Sequence, residues 1–317
     1  MTALRVRVAE ADDGRRIDQV LAAAAAGPRS LVMKWLRTGA VRRNGEVVTA
    51  PGERVRAGDT IEVAPGPAAA RAPGPRPGRK GGATAAALDV LYEDDALLVV
   101  DKPAGLACHA GTLVESDSLA ARVAARLAAA GRAGVAAGLA QRLDRGVSGV
   151  VPFGIGAEAL RALAASVESG AARKTYLAIV SGVVRADSGT IDVPLRVTDE
   201  PMGNRPKTLP DPERGLPAIT RFRVVRRFED ASLLEVTIET GRTHQIRAHL
   251  LFLGHPISGD PRYGEPARDA RLRETFGIDR PLLHASRLSI PHPVTGAIVT
   301  AEAPLPPDFA RLLHALR

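Results

Sequence analysis

One acidic residue, Asp144, lies between Arg142 and Arg145 in the stretch LAQRLDRGVSG. Taken alone, this pattern is typical of a surface cluster of ion pairs. Gly146 and Gly149, however, permit backbone conformations that other residues resist, so the loop could hold its carboxylate in one place. A carboxylate fixed in this way could act as a nucleophile or as a base, while the neighbouring arginines bind phosphate.

A second polar cluster occupies the stretch ETGRTHQIRAHLLFLGHPISGDPRYG. Arg247 would supply a permanent positive charge that keeps a carboxylate elsewhere ionised. The alternative is a metal site made by His244, His249 and His255. A gap of five residues places His244 and His249 roughly 140° apart around a helix, which disfavours a shared metal ion.

Two further stretches contain residues that could do chemistry. Tyr176, in ARKTYLAIVSG, is either a packing residue of a strand or a flat ring on which a base can stack. Cys108 and His109 are adjacent, and neighbours on an extended strand point to opposite faces. We therefore interpret Cys108 as a buried or loop cysteine and not as half of a catalytic dyad.

Composition limits the classes of protein that this chain can be. It has 317 residues and a single cysteine, which excludes an intramolecular disulfide framework and a cysteine-based metal cluster. No run reaches the roughly 18 apolar residues that a membrane-spanning helix needs. We expect a cytoplasmic, monomeric protein that does not bind membranes.

The positive charge lies mainly at the front of the chain. The net charge is +8, and residues 65–87 contain four basic and no acidic side chains. The same segment has five prolines and five glycines, which predicts a flexible basic linker. The predicted organisation is a small module over residues 1–64, this linker, and a larger domain over residues 88–317.

The front module shows two short helical patterns, an Asn-Gly hairpin signal in AVRRNGEVV and an alternating strand in ERVRAGDTIEV. This small α/β arrangement resembles the S4-type RNA-binding module. In such a module a basic face lies on RNA phosphates. The residues that could form that face here are Arg15, Arg16, Arg29, Lys34, Arg37, Arg42 and Arg43.

The larger domain alternates strand-like and helical stretches with strands in excess, which predicts an α+β fold with a mostly antiparallel sheet. Five of its stretches, in order, resemble the motifs of the RluA-type pseudouridine synthases over about residues 88 to 305. The stretches are LLVVDKPAGLACHAG, RLDRGVSG, RKTYLAIVSG, TGRTHQIRAHLLFLGHPISGDPRYG and LLHASRLSIPHPVTGA. The resemblance implies a pseudouridine-synthase fold: a mixed, mainly antiparallel sheet with a central RNA-binding cleft.

The resemblance also implies roles for individual residues. Asp144 matches the catalytic aspartate, Tyr176 the active-site tyrosine, and Arg247 the arginine that pairs with the aspartate. Arg142 matches the residue that fills the space left by a flipped nucleotide. Arg145, Arg242 and His244 are further predicted RNA contacts. The sequence departs from the family pattern at Gln141, where histidine is usual, and at Val147, where threonine is usual.

The reaction implied is the isomerisation of uridine in RNA, which needs neither a cofactor nor a metal. Whether Asp144 attacks C1′ or removes the 2′ proton stays open. The predicted partner is structured RNA, with large-subunit ribosomal RNA favoured and transfer RNA second. Two other hypotheses are a non-catalytic RNA-binding or ribosome-assembly protein with the same fold, and a metal-dependent hydrolase that uses the histidines.

Overall fold

A computed structural model describes residues 4–24, 32–33, 35–36, 38–50, 52–63, 88–109, 117–198 and 207–317. The chain divides into two compact units, Met1–Gly82 and Ala83–Arg317. The predicted linker over residues 65–87 lies outside the described residues. No helix in the described ranges is both long enough and apolar enough to cross a membrane.

The small unit is built on a four-stranded sheet. Its elements are the strands β1 Leu4–Arg7, β2 Val41–Arg43, β3 Glu46–Val47 and β4 Thr60–Val63, the helix α1 Ile17–Ala24 and the short 3-10 helix Glu10–Asp12. The strand order is β1-β4-β2-β3, and every neighbouring pair is antiparallel. One face of α1 is buried through Ile17, Val20 and Leu21, as the apolar spacing predicts.

The Asn-Gly hairpin predicted in this unit is confirmed. Asn44 and Gly45 have φ angles of 50° and 90° between β2 and β3, and two consecutive positive values are what the tight turn of a two-residue hairpin requires. In the second predicted helix, residues 32, 33, 35 and 36 are helical. Gly39, with φ 69°, follows them as the expected stop.

The larger unit contains more strands than helices, which confirms the predicted α+β class. The strands are β5 Asp89–Glu93, β6 Leu97–Lys102, β7 Ala137–Leu139, β8 Ser148–Ile155, β9 Arg173–Ser181, β10 Ser188–Asp192, β11 Leu195–Val197, β12 Thr208–Pro210, β13 Ile219–Arg227, β14 Ala231–Ile238, β15 Leu283–Pro291 and β16 Ile298–Glu302. The helices are α2 Leu119–Ala129, α3 Ala157–Glu168, α4 Gln245–Phe252, α5 Pro266–Phe276 and α6 Pro307–Ala315.

Ten strands of this unit form one sheet in the order β10-β13-β14-β9-β15-β8-β6-β5, with β16 paired to β15 and β7 paired to β8. Strands β11 and β12 make a separate two-stranded ribbon. Within the described residues the named pairs are antiparallel except β15 and β8, which run parallel where His284 pairs with Ser148 and Ala285 with Gly149. The sheet is therefore mixed and mainly antiparallel, as predicted.

The parallel pairing of β8 with β15 explains why a glycine stands at position 149. Gly149 has φ 115°, and a Cβ atom there would lie 2.1 Å from the carbonyl oxygen of Ala285. Gly146 has no positive φ, and its small size has another reason: a Cβ atom would lie 2.9 Å from Cδ of Pro281. The expectation of an unusual backbone thus holds for Gly149 and was wrong for Gly146.

Candidate active site

A cavity of about 910 Å³ opens in the larger unit, between the loop that precedes β8, the strand β9 and the loop between β14 and α4. Its lining includes the predicted residues of this unit, which lie far apart in sequence. They are Arg142, Asp144, Arg145, Tyr176, Arg242, His244 and Arg247.

Asp144 and Arg247 form an ion pair in this cavity. Nη1 of Arg247 donates to Oδ2 of Asp144 at 2.8 Å, across 103 residues of sequence. The Asp144 side chain is 29% exposed and that of Arg247 only 8%. The arginine is thus a fixed element of the wall, while the carboxylate is open to a ligand.

A second acid, Asp260, fixes Arg247 from the other side. Nε and Nη2 of Arg247 donate to Oδ2 and Oδ1 of Asp260 at 2.6 and 2.8 Å, and the Asp260 side chain is fully buried. Burial opposes the charge of Arg247, but the carboxylates of Asp260 and Asp144 outweigh it and raise the pKa of Arg247 above its usual value. The flat guanidinium also lies 4.8 Å from the centre of the Tyr263 ring.

The helix that carries Arg247 is buried on nearly all sides, so its polar side chains need internal partners. Gln245 accepts hydrogen bonds from the Thr240 hydroxyl and the Arg242 amide at 2.8 and 3.0 Å and donates to the carbonyl of Ile219 at 2.9 Å. These bonds tie the loop before α4 to the start of β13, and they hold the first turn of the helix against the cavity.

Lys102 supports the loop that carries Asp144 from the protein interior. Its fully buried ammonium donates to the carbonyls of Pro103, Leu106 and Arg145, at 2.9, 2.9 and 3.3 Å. Burial lowers the pKa of Lys102 to about 8. Lys102 thus joins the stretch DKPAGL to the residue that follows Asp144.

Cys108 supports the other side of the same loop. Its buried thiol lies 3.3 Å from the carbonyl oxygen and 3.4 Å from the amide nitrogen of Leu143. The interpretation of Cys108 as a structural cysteine agrees with these contacts, because both polar groups that it meets belong to the backbone.

Tyr176 reaches the cavity from β9, where it pairs with Val236 on one side and Ala285 on the other. The residue is 4% exposed. Burial, together with the negative charge of Asp144, raises the pKa of Tyr176 above its usual value. The raised pKa disfavours the phenolate, so the residue offers the cavity a ring and a hydroxyl.

The three arginines predicted to contact RNA in this unit have different surroundings. Arg142 is exposed at the cavity and makes no hydrogen bond or ion pair with any residue of the described ranges. Arg145 donates from Nε to the carbonyl of Gly105 at 2.7 Å, and Arg242 donates from Nε to that of Pro217 at 3.0 Å. Arg142 is the most available of the three to a ligand.

The histidines do not assemble the metal site considered above. His249 is fully buried, with Nδ1 2.8 Å from the Thr220 hydroxyl and Nε2 2.9 Å from the carbonyl of Val193. His255 is bound to the carbonyl of Ser181. Among the described residues no group of three His, Cys, Asp or Glu side chains could hold a metal ion.

The two departures from the family pattern are accommodated locally. Val147 is buried, and the turn that it closes is made by its own amide donating to the carbonyl of Asp144 at 3.0 Å, so this turn needs no threonine hydroxyl. The Gln141 amide lies against Gly241 on the far side of the cavity, 3.1 Å from where a Cβ of that glycine would be.

The predicted basic residues of the small unit are only partly described. Lys34 and Arg37 lie outside the described residues, as does Arg29. Arg15 is paired with Asp12, and Arg16 Nε lies 3.1 Å from Asp18. Arg42 is exposed and donates to the carbonyl of Gly45.

Arg43 differs from these residues because two acids hold it. It contacts Asp59 at 2.7 Å and Glu53 at 3.1 Å, and its side chain is 21% exposed. A phosphate that binds Arg43 would have to compete with both carboxylates. The RNA contact of Arg43 stays a prediction.

Sequence reasoning missed Asp260, Tyr263 and Lys102 as parts of the site. A signal was present for each: Asp260 and Tyr263 lie in the glycine-bracketed GDPRYG, and Lys102 lies in DKPAGL, a charged residue at the end of an apolar strand. All three are at most 1% exposed. Their burial could not be read from the sequence, because charged and hydroxyl-bearing residues are usually exposed.

Lys174, two residues before Tyr176, leads to a prediction on stability. Its Nζ is buried without a hydrogen-bond partner in the described part of the chain, and burial lowers the pKa of Lys174 to about 8. Because the pKa of Lys174 is lower in the folded protein than in the unfolded chain, protonation of its amine favours unfolding. The resulting loss of stability is complete below pH 8 and disappears as the pH rises toward the usual pKa of 10.5.

Lys174→Met should therefore increase the free energy of unfolding by roughly 2–3 kcal/mol at pH 7, and the gain should shrink toward pH 10. Urea unfolding of both proteins at the two pH values measures this. A variant that is less stable than the parent at both values would show that the amine has a stabilising partner.

Comparison with known proteins agrees with the predicted family and fold. The sequence profile of the RNA pseudouridylate synthase family matches residues 96–252, and that of the S4 domain matches residues 15–61. Ribosomal large subunit pseudouridine synthase D of Xanthomonas campestris is 38% identical to this chain, with 96% of the chain and 89% of that protein covered. Ribosomal large subunit pseudouridine synthase C of Escherichia coli is 35% identical, with coverage of 98% and 96%.

Solved structures show the same fold at lower identity. Human RNA Pseudouridylate Synthase Domain Containing 4 is 22% identical and superposes with a TM-score of 0.59, covering 72% of this chain and 94% of the human one. The fold and the nearly full-length sequence similarities lead to one conclusion: the chain belongs to the RNA pseudouridine synthase family.

Proposed function

We propose that this protein isomerises uridines of large-subunit ribosomal RNA to pseudouridine, with Asp144 as the catalytic carboxylate. The observation that carries the proposal is the partly exposed Asp144, paired at 2.8 Å with a buried Arg247 in the wall of the cavity. The choice of ribosomal RNA rests on the names of the two relatives above, which match over nearly their whole length.

The geometry leaves one oxygen of Asp144 for chemistry. Oδ2 accepts from Arg247, and no described residue hydrogen-bonds Oδ1. The reaction breaks the bond between N1 and C1′, turns the uracil and joins C5 to C1′; C5 loses its proton and N1 gains one, so the product is an isomer of uridine. Oδ1 would be the oxygen that attacks C1′ or takes the 2′ proton, and both routes are compatible with this arrangement.

The remaining residues would bind and position the nucleotide. A uridine within a stem must leave its stack to reach the cavity, and the exposed Arg142 would fill the space that it vacates. Tyr176, which lines the same cavity as Asp144, would place its ring against the uracil. Arg145, Arg242 and the basic residues of the small unit would contact phosphates.

The proposal also covers the domain limits, the cellular compartment and the oligomeric state. Residues 1–64 would form the S4-type module, residues 65–87 a flexible basic tether, and residues 88–317 the catalytic domain. We propose that the protein acts in the cytoplasm, since the chain has a single cysteine, which is buried against Leu143. We also propose that it acts as a monomer.

The direct test uses large-subunit ribosomal RNA and transfer RNA transcripts labelled with tritium at uridine C5. We expect the purified protein to release tritium from the ribosomal RNA, because the C5 proton is lost when C5 joins C1′. Release from transfer RNA alone would overturn the choice of substrate but not the reaction. RNA binding without release from either transcript would favour the non-catalytic assembly protein.

A further inference from the structure

The two ring nitrogens of His244 have different neighbours. The residue precedes α4 in the left-handed region, with φ 54°, a conformation that histidine tolerates better than most side chains. Nδ1 lies 2.9 Å from the hydroxyl of Tyr263, and Nε2 lies 3.8 Å from Oδ2 of Asp144. The ring thus spans the space between a buried phenol and the proposed catalytic carboxylate.

The hydroxyl of Tyr263 determines which nitrogen of His244 carries the proton. Its oxygen accepts from the backbone amide of Thr208 at 2.8 Å. The hydroxyl hydrogen is then free to point at Nδ1 of His244, which accepts it, so the neutral ring carries its own hydrogen on Nε2.

The carboxylate at the other end of the ring selects the same tautomer. A hydrogen on Nδ1 would leave a lone pair on Nε2 directed toward the negatively charged Asp144, which is unfavourable. A hydrogen on Nε2 instead presents a donor to that carboxylate. Two separate contacts therefore favour the same arrangement.

The surroundings also keep the His244 ring neutral. Burial lowers the pKa of His244 below its usual value, and the positive charges of Arg247 and Arg262 act in the same direction, while Asp144 and Asp260 oppose it. At neutral pH the ring is a single N–H donor and not a cation. The side chain is 15% exposed, which suits a contact inside the cavity better than one with an RNA backbone.

We propose that His244 is a positioning residue for the reaction: its Nε2–H closes onto Oδ2 of Asp144, the oxygen that Arg247 already binds, and so leaves Oδ1 to meet the ribose. At 3.8 Å the contact is longer than a hydrogen bond, and it shortens when a bound nucleotide excludes water from the cavity. This proposal rests on the catalytic role proposed for Asp144.

Three variants test the proposal. His244→Asn suits the left-handed backbone and can still bond Tyr263, but its amide is too short to reach Asp144. His244→Gln extends a donor to about the position of Nε2. Tyr263→Phe keeps the ring against Arg247 and removes the hydroxyl, which contacts both Nδ1 of His244 and the Thr208 amide.

We expect His244→Asn to lower kcat for tritium release by about 10- to 100-fold with little change in KM, because the carboxylate is misplaced while RNA binding is intact. His244→Gln should recover part of that loss, and Tyr263→Phe should fall between the parent and His244→Asn. An unchanged kcat in His244→Asn, or a raised KM with unchanged kcat, would overturn the positioning role.

A spectroscopic measurement on the parent protein tests the tautomer without relying on activity or on a folded variant. Nitrogen-15 NMR of labelled histidine should show Nδ1 of His244 unprotonated and Nε2 protonated. A protonated Nδ1 in the parent would overturn the hydrogen-bond chain. If the parent releases no tritium while the expected tautomer is observed, the proposed function has failed and the ring assignment has not.

Discussion

Asp144→Asn is expected to abolish tritium release from labelled RNA while RNA binding and folding stay intact. Asparagine keeps the shape of the side chain and can still offer an oxygen to Arg247, so the wall of the cavity should hold. The amide, however, can neither attack C1′ nor take the 2′ proton, and loss of such a group lowers kcat by about 10⁴-fold or more.

Tritium release at saturating RNA and a filter-binding titration measure the two properties separately. Asp95→Asn is a matched control, because Asp95 is a fully exposed acid in the turn between β5 and β6; its kcat should equal that of the parent. Release by Asp144→Asn at the parental rate would remove Asp144 from the reaction.

Arg247→Met should lower both activity and stability. The variant leaves Asp144 without its partner and Asp260, whose side chain is fully buried, as an uncompensated charge. Breaking a buried ion pair in this way costs about 3–5 kcal/mol. We expect the free energy of unfolding to fall by that amount, and kcat by about 100-fold or more because the carboxylate loses its fixed position.

A double variant separates the two effects. Asp260→Asn combined with Arg247→Met removes the unpaired buried charge, so it should recover much of the stability and none of the activity. Urea unfolding and tritium release on the same preparations measure this. Recovery of both properties together would mean that Arg247 acts only through stability and does not position Asp144.

Local patterns were enough to predict most of the elements that hold the site. Helices α2 and α3 carry an apolar stripe, and β9 and β13 alternate buried and exposed residues over much of their length. Strand β8, which follows the Asp144 loop, is buried at every position; it shows no alternation and was not predicted. The stretch over α5 also lacks such a pattern: it is PARDARLRETF, without an apolar stripe, and its helix depends on Pro266 at the start, Gly277 at the end with φ 67°, and a buried Asp269 that accepts from the Gly259 amide at 2.6 Å. Such contacts are tertiary, and periodicity does not report them.

The candidate site was also predicted only in part. The pairing of Asp144 with Arg247, 103 residues apart, was expected from the family resemblance and not from spacing. What the resemblance did not supply was the support behind the pair: the buried Asp260 against Arg247, the ammonium of Lys102 beneath the loop, and the Tyr263 hydroxyl beside His244. Each of these is a polar group whose burial depends on the packed fold, and single-sequence patterns assign such residues to the surface.

The parallel pairing of β8 with β15 has a consequence for the order in which the parts of the site are made. Ser148 and Gly149, directly after the Asp144 loop, take their neighbours from β15, and the Ser148 hydroxyl lies 3.0 Å from Nδ1 of His284, 136 residues later. Contacts that close such long stretches of chain form late and slowly. During synthesis the residues after the Asp144 loop can gain these contacts only once β15 has been made, so the loop is completed later than the strands that precede it in the chain.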